Sequence, residues 1–208
     1  MSDFKDALGE NKKFLLLALA LLTACVLVVF SLQSGKYPSG LLVVNDEKRY
    51  SQPKKVLSDK YDYSITISTI YGDIVIDLFE KEAPENVNSL LFLISQRYYE
   101  GLTFHKVVKN FVIQAGDTKG DGSGDPGYSV KMENTVDFND YDVGMANASQ
   151  FFIVLPNSDK RKFNGKYTVV GKVTQGFAVV DSIAKVEVDK NYKPVNDVTI
   201  KSILIQEN

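Results

Sequence analysis

A strict alternation of apolar and polar positions begins at Tyr63. Tyr63, Ile65, Ile67 and Thr69 are interleaved with Ser64, Thr66 and Ser68, which is the period of a strand with one buried face. Tyr71-Gly72 reads as a turn, and Ile74, Ile76 and Leu78 resume the alternation, so a hairpin is predicted. The period then changes. Pro84 suits the first turn of a helix, where its missing N–H costs nothing. Val87, Leu90, Leu91 and Ile94 follow at helical spacing and predict a helix ending near Arg97. Strands are predicted over 103–108, 111–115, 151–154 and 167–173, and a second helix over Phe177–Lys185. A last strand, Val198–Gln206, alternates at Ile200, Ile203 and Ile205. Many short strands with two helices describe a domain rich in β-structure, but pattern alone leaves its architecture open.

Upstream of this domain the pattern is different. Phe14–Leu32 is an uncharged, mostly apolar run of 19 residues, close to the roughly 20 that cross a bilayer as a helix. Lys12 and Lys13 precede it, so residues 1–13 are expected on the cytoplasmic side and the domain on the other. Two other readings stay open. Leu22-Thr23-Ala24-Cys25 fits a lipobox, which would anchor a lipoprotein at Cys25; against it, the apolar run continues through Phe30. A cleaved secretory signal has a shorter core, and no small-x-small site follows Leu32. Residues 33–60 are polar, with Pro38, Gly40 and Pro53, and read as a linker. The domain is assigned to 61–208.

Composition narrows the partners. A net charge of −2 gives no reason to expect nucleic acid. With one cysteine and one histidine in the chain, neither a disulfide nor a Cys- or His-based metal centre is expected, and no cofactor is implied.

The segment from Tyr98 to Tyr128, YYEGLTFHKVVKNFVIQAGDTKGDGSGDPGY, carries the chemistry. Its run of glycines lacks the Gly-Lys-Ser/Thr ending of a phosphate loop. Its aspartates lack the glutamate that a calcium loop has at position twelve, where Tyr128 stands. The segment instead resembles the signature of the cyclophilins, through Tyr98, Tyr99, Gly101, Phe104, His105, Val107, Phe111, Gln114, Gly116, Asp117 and the glycines up to Pro126-Gly127-Tyr128. The resemblance spans about 61–206 and includes Met145-Ala146-Asn147, Ser149-Gln150-Phe151-Phe152 and Asn164-Gly165-Lys166-Tyr167.

This resemblance implies a mainly β fold, a closed eight-stranded antiparallel barrel capped by two helices, here preceded by a transmembrane helix. It implies peptidyl-prolyl cis–trans isomerase activity that assists folding of extracytoplasmic proteins by acting on Pro-containing segments. Phe111, Val112, Phe152 and Phe163 match the apolar wall around the proline ring. Gln114 matches the glutamine that binds substrate backbone, and His105 the histidine beside the pocket. Asn147 matches the residue whose main chain pairs with the peptide, and Tyr167 a position often His or Tyr.

Three departures qualify the expectation. Lys106 stands where the family has its catalytic arginine, exchanging a planar fork for a hydrated point charge. Reduced turnover is expected, with a proline-peptide-binding chaperone or scaffold module as the alternative. The loop before Ser149 is shorter than in the family, which should open one side of the groove. Lys162 replaces a tryptophan that helps many members bind cyclosporin, so weak cyclosporin binding is expected.

Overall fold

The computed structural model describes residues 48–133 and 136–208, and the expected membrane segment 14–32 lies outside them. Among the described residues no helix is long and apolar enough to cross a membrane.

Eight strands form one antiparallel sheet: β1 (Tyr63–Thr69), β2 (Gly72–Leu78), β3 (Lys106–Val108), β4 (Val112–Ala115), β5 (Asp142–Met145), β6 (Phe151–Val154), β7 (Thr168–Gln175) and β8 (Ile200–Glu207). Their order across the sheet is β3-β4-β6-β5-β7-β2-β1-β8. The β1–β2 hairpin turns where the sequence predicts. Thr69 Oγ1 accepts the Tyr71 N–H at 3.0 Å and donates to the Gly72 carbonyl at 2.8 Å. Ile65 faces Ile76 and Ile67 faces Ile74 across the ladder, and all four are buried.

The sheet curls until its terminal strands, β3 and β8, come near each other. No ladder joins them among the described residues. Thr103 and Thr199 form an isolated antiparallel bridge instead. Around it the N–H groups of Gly101 and Phe104 donate to the carbonyls of Ile200 and Val198, and Ile200 N–H donates to Leu102. The expected closed barrel is therefore a curled antiparallel sheet with a short bridge at its seam. The physical reason is the length of β3, which has three residues and too few main-chain groups for a second ladder.

Helix α1 (Pro84–Ser95) covers the core with Val87, Leu90, Leu91, Leu93 and Ile94. Its cap residue, Ala83, offers no side-chain acceptor. The Glu133 carboxylate fills that role from outside the helix, accepting the N–H groups of Glu85 (3.1 Å) and Asn86 (2.9 Å), where the helix end carries partial positive charge. Helix α2 (Phe177–Ile183) starts after Gly176, whose φ of +86° is in the left-handed region. A Cβ there would lie 2.2 Å from the Asp73 carbonyl oxygen.

Residues 48–57, within the stretch read as a linker, pack on the domain. Leu57 joins the core, and Tyr50 meets Phe92 edge-on at 5.2 Å between ring centres. Lys48 Nζ donates to the Tyr98 carbonyl at 2.7 Å, just past the C-terminal end of α1. Val56 and Leu57 N–H groups share Asn88 Oδ1.

The core lies on the concave side of the sheet, built from Ile65, Ile67, Ile74, Ile76, Val107, Ile113, Val143, Phe151 and Ile153 with α1. Strands β5 and β6 are buried at every position. Side chains alternate across a strand, so the convex face of β6 must be covered too. Its cover is a second apolar cluster, separate from the main core: Val112, Phe138, Phe152, Val154, Phe163 and Val169.

Candidate active site

The second cluster lies where the sequence expects a ligand. Strand register sets it up. Lys106 pairs with Gln114, Gln114 with Phe152, and Phe152 with Gly144. Facing residues of adjacent strands share a side of the sheet, so these residues form one row on the convex face. Lys106 and Phe152 stand two strands apart, roughly 10 Å at about 4.8 Å per strand. Their neighbours Val107, Ile113 and Ile153 point the other way, into the core.

Aromatic rings form one end of the row. Phe152 stacks on Phe163 (5.5 Å, 27°), and Phe163 stacks on Phe111 (4.8 Å, 26°). Tyr167 meets Phe152 edge-on at 5.2 Å. Val112 lies buried in the same cluster, facing Val154. Phe111 and Tyr167 are half-buried, whereas Phe152 and Phe163 are each 3% exposed. One reason for that closure escaped the sequence reading. Phe138 stacks on Phe152 at 5.7 Å and tilts against Phe163 at 5.5 Å. It is held by its N–H, which donates to Asn164 Oδ1 at 2.9 Å. Gly144 makes room for it: a Cβ there would lie 2.4 Å from Phe152 Cζ and 2.7 Å from Phe138. Phe138 is an isolated apolar residue among Asp137, Asn139 and Asp140, and only its proximity to the Met145-Ala146-Asn147 motif hinted at it. Lys162 places Nζ 5.4 Å from the centre of the Phe111 ring, within cation–π range.

The polar end is held by a network. Gln114 Nε2 donates to Gln150 Oε1 at 2.8 Å, and Gln150 Nε2 donates to the carbonyls of Gly122 (3.1 Å) and Gly124 (2.8 Å). The glycine-rich loop is thereby tied to Gln114. The loop folds around Asp117, whose carboxylate accepts N–H groups from Lys119, Asp121 and Gly122. Gly124 passes so close that a Cβ would sit 1.9 Å from Asp117 Oδ1. Asp117 thus serves the loop's own backbone. Among the described residues no cluster of three or more His, Cys, Asp or Glu side chains suits a metal.

The short connection from β5 to β6 is shaped by Asn147. Its Oδ1 accepts the N–H groups of Ser149 (2.9 Å) and Gln150 (2.7 Å), and its Nδ2 donates to the Gly124 carbonyl at 3.2 Å. Its own main-chain N–H and C=O pair with nothing among the described residues.

His105 immediately precedes Lys106 in the chain. It is 5% exposed, yet neither ring nitrogen has a partner among the described residues. An unpaired buried polar group costs about 1–3 kcal/mol. Burial holds the imidazole below its ordinary range, with Asp117 and Asp121 pulling it up and Lys106 and Lys193 pushing it down. The ring borders a cavity of about 580 Å³ that Lys106 and Gln114 also line.

Comparison with known proteins agrees with the fold. The family model described as "Cyclophilin type peptidyl-prolyl cis-trans isomerase/CLD" matches residues 63–205. Peptidyl-prolyl cis-trans isomerase-like 3 of Gallus gallus is 37% identical over 160 residues, covering 70% of this chain and 97% of that protein. Peptidyl-prolyl cis-trans isomerase CYP18-1 of Arabidopsis thaliana is 32% identical over 157 residues, with the same coverage. A crystal structure of a Cryptosporidium parvum cyclophilin type peptidyl-prolyl cis-trans isomerase superposes with a TM-score of 0.66 at 32% identity, covering 71% of this chain and 99% of that one. The same enzyme, crystallised in the presence of the dipeptide Ala-Pro, gives 0.65. The chain belongs to the cyclophilin-type peptidyl-prolyl cis–trans isomerases, and its catalytic class is that of the family.

Proposed function

We propose that Lys106 takes the donor role in isomerisation here, at reduced turnover, with Phe111 and Gln114 completing the catalytic set. A prolyl peptide bond resists rotation by about 18–20 kcal/mol because its C–N bond is partly double. Twisting removes the conjugation and leaves a basic lone pair on nitrogen. A catalyst must bind that twisted form better than either planar one. The row Lys106–Gln114–Phe152 is the observation that supports this reading. It offers a cation, an oriented amide and an apolar ring surface along one face, in the order a prolyl peptide would need. Phe111, Val112, Phe152, Phe163 and Tyr167 would hold the proline side, and the free main-chain groups of Asn147 and the His105 ring would receive flanking peptide.

One observation favours the binding-module reading. Phe152 and Phe163 are stacked and almost fully covered, with Phe138 behind them. A proline ring would rest on Phe111 and the edges of the cluster unless these rings part. Lys162 over Phe111 also crowds that surface, in keeping with weak cyclosporin affinity.

The deciding measurement is cis-to-trans exchange of an X-Pro peptide by the wild-type chain, Lys106→Arg and Lys106→Ala. Activity in wild type that Ala abolishes supports catalysis by Lys106. A silent wild type, with activity only in Lys106→Arg, refutes it and leaves the binding module.

We further infer that the domain works outside the cytoplasm on folding proteins, tethered through 14–32 as a helix or through lipidated Cys25. The uncharged run after Lys12-Lys13 supports this. Protease added to intact cells should remove the domain; full protection would contradict the assignment.

A further inference from the structure

A cavity of about 580 Å³ opens beyond Lys106, on the side of the row away from the aromatic rings. His105, Lys106 and Gln114 line it from the sheet, Asp121 from the glycine-rich loop, and Asp189 and Lys193 from the turn before β8. Its hydrogen-bonding capacity is unevenly spent. His105 is buried, and neither ring nitrogen has a partner among the described residues. Lys106 and Lys193 are exposed, and neither side-chain ammonium forms an ion pair or hydrogen bond among the described residues. The two carboxylates are already engaged by main chain. Asp189 Oδ1 accepts the N–H groups of Asn191 (2.7 Å) and Lys193 (3.0 Å), and Asp121 Oδ1 accepts that of Ser123 (2.8 Å). The Gln114 amide N–H₂ is turned to Gln150. Among the charged side chains that line the cavity, the two ammonium groups are the ones without a partner among the described residues.

We propose that this cavity is a specificity subsite for an acidic side chain, Glu or Asp, of the peptide that carries the proline, with Lys193 donating to its carboxylate. The inference rests on the proline-peptide reading of the row. Lys106 stands between the subsite and the rings, roughly 10 Å from Phe152. Extended peptide rises about 3.3 Å per residue, so the acid belongs about three residues from the proline.

The test compares matched X-Pro peptides carrying Glu or Gln at positions two, three and four residues to either side of the proline, assayed with the full chain for binding and exchange. At one position Glu should be favoured by about 10-fold, the worth of a hydrogen bond to a charged group, and salt should shrink the ratio. Lys193 is exposed, so its variants should fold. Lys193→Gln should bring the ratio near one, and Lys193→Glu should turn the preference toward a Lys-bearing peptide. Equal handling of Glu and Gln at every position, with the Gln peptides still bound, overturns the subsite and spares the site itself. A Glu preference that survives Lys193→Gln overturns it as well. If no peptide of either kind binds, the subsite and the proline-peptide reading fall together.

Discussion

Gly144→Ala tests whether the aromatic wall is packed as tightly as its geometry implies. Gly144 has no left-handed φ, so the backbone accepts alanine without strain. The obstacle is steric. The new methyl would meet Phe152 Cζ at 2.4 Å and two atoms of Phe138 at 2.7 Å. Relaxed carbon contacts lie at about 3.5–4.0 Å, so one or both rings must yield by about 1 Å. Neither has free room. Phe152 is backed by Phe163, which is backed by Phe111, and Phe138 is itself stacked on Phe152. Overpacking of this kind costs about 1–3 kcal/mol, against a gain of about 0.5–1 kcal/mol from removing a strand glycine. The net loss should be about 1–2 kcal/mol. With a urea slope of about 1–3 kcal/mol per molar, the midpoint should fall by about 0.3–2 M. Peptide binding should weaken in parallel, because Phe152 has only the groove to move into. Phe138→Ala removes the opposing ring, so the double variant should be more stable than the sum of the two changes by about 1 kcal/mol or more. A change within 0.5 kcal/mol for Gly144→Ala, additive with Phe138→Ala, would mean that the rings do not share this space.

Lys106→Arg should raise turnover by about 10- to 1,000-fold, the equivalent of roughly 1.4–4 kcal/mol for restoring a well-placed donor, with little effect on stability; exchange kinetics and a melting curve check both. Glu133→Ala strips the start of α1 of its acceptor and should cost about 0.5–2 kcal/mol in chemical denaturation. His105 is the chain's one histidine, and burial lowers its pKa from 6.5. The unfolded chain therefore takes up a proton on this ring at a higher pH than the folded one. That contribution to stability is complete above about pH 6.5 and is lost as the pH falls through the lower folded value. His105→Gln should flatten this slope, and a slope unchanged by the substitution would refute the assignment.

What could be read in advance followed from local period. The β1–β2 hairpin and α1 each bury one regular face, so Ile65, Ile67, Ile74 and Val87 announce themselves. Strand β5 does not, because Asp142, Val143, Gly144 and Met145 are buried on both sides and show no alternation. The row itself was accessible only through the motif's resemblance, since Lys106, Gln114 and Phe152 are far apart in sequence and meet through strand register. Phe138 stayed hidden because a lone aromatic in a polar stretch carries no period. The packing of Lys48, Tyr50 and Leu57 was hidden for the same reason: their partners, such as Phe92 and Asn88, lie some thirty to fifty residues away.

Strand β6 belongs to two structures at once. Phe151 and Ile153 face the main core, while Phe152 and Val154 face the aromatic cluster of the groove. It is a party wall. A substitution chosen to improve the interior at 151 or 153 would shift the backbone that carries Phe152, and one chosen to reshape the groove at 152 would press on the interior. Selection, natural or in the laboratory, cannot adjust the aromatic cluster at this strand while holding foldability constant. Freer variation lies in the loops around Lys162 and Lys193, whose exposed side chains are not mortared into the wall.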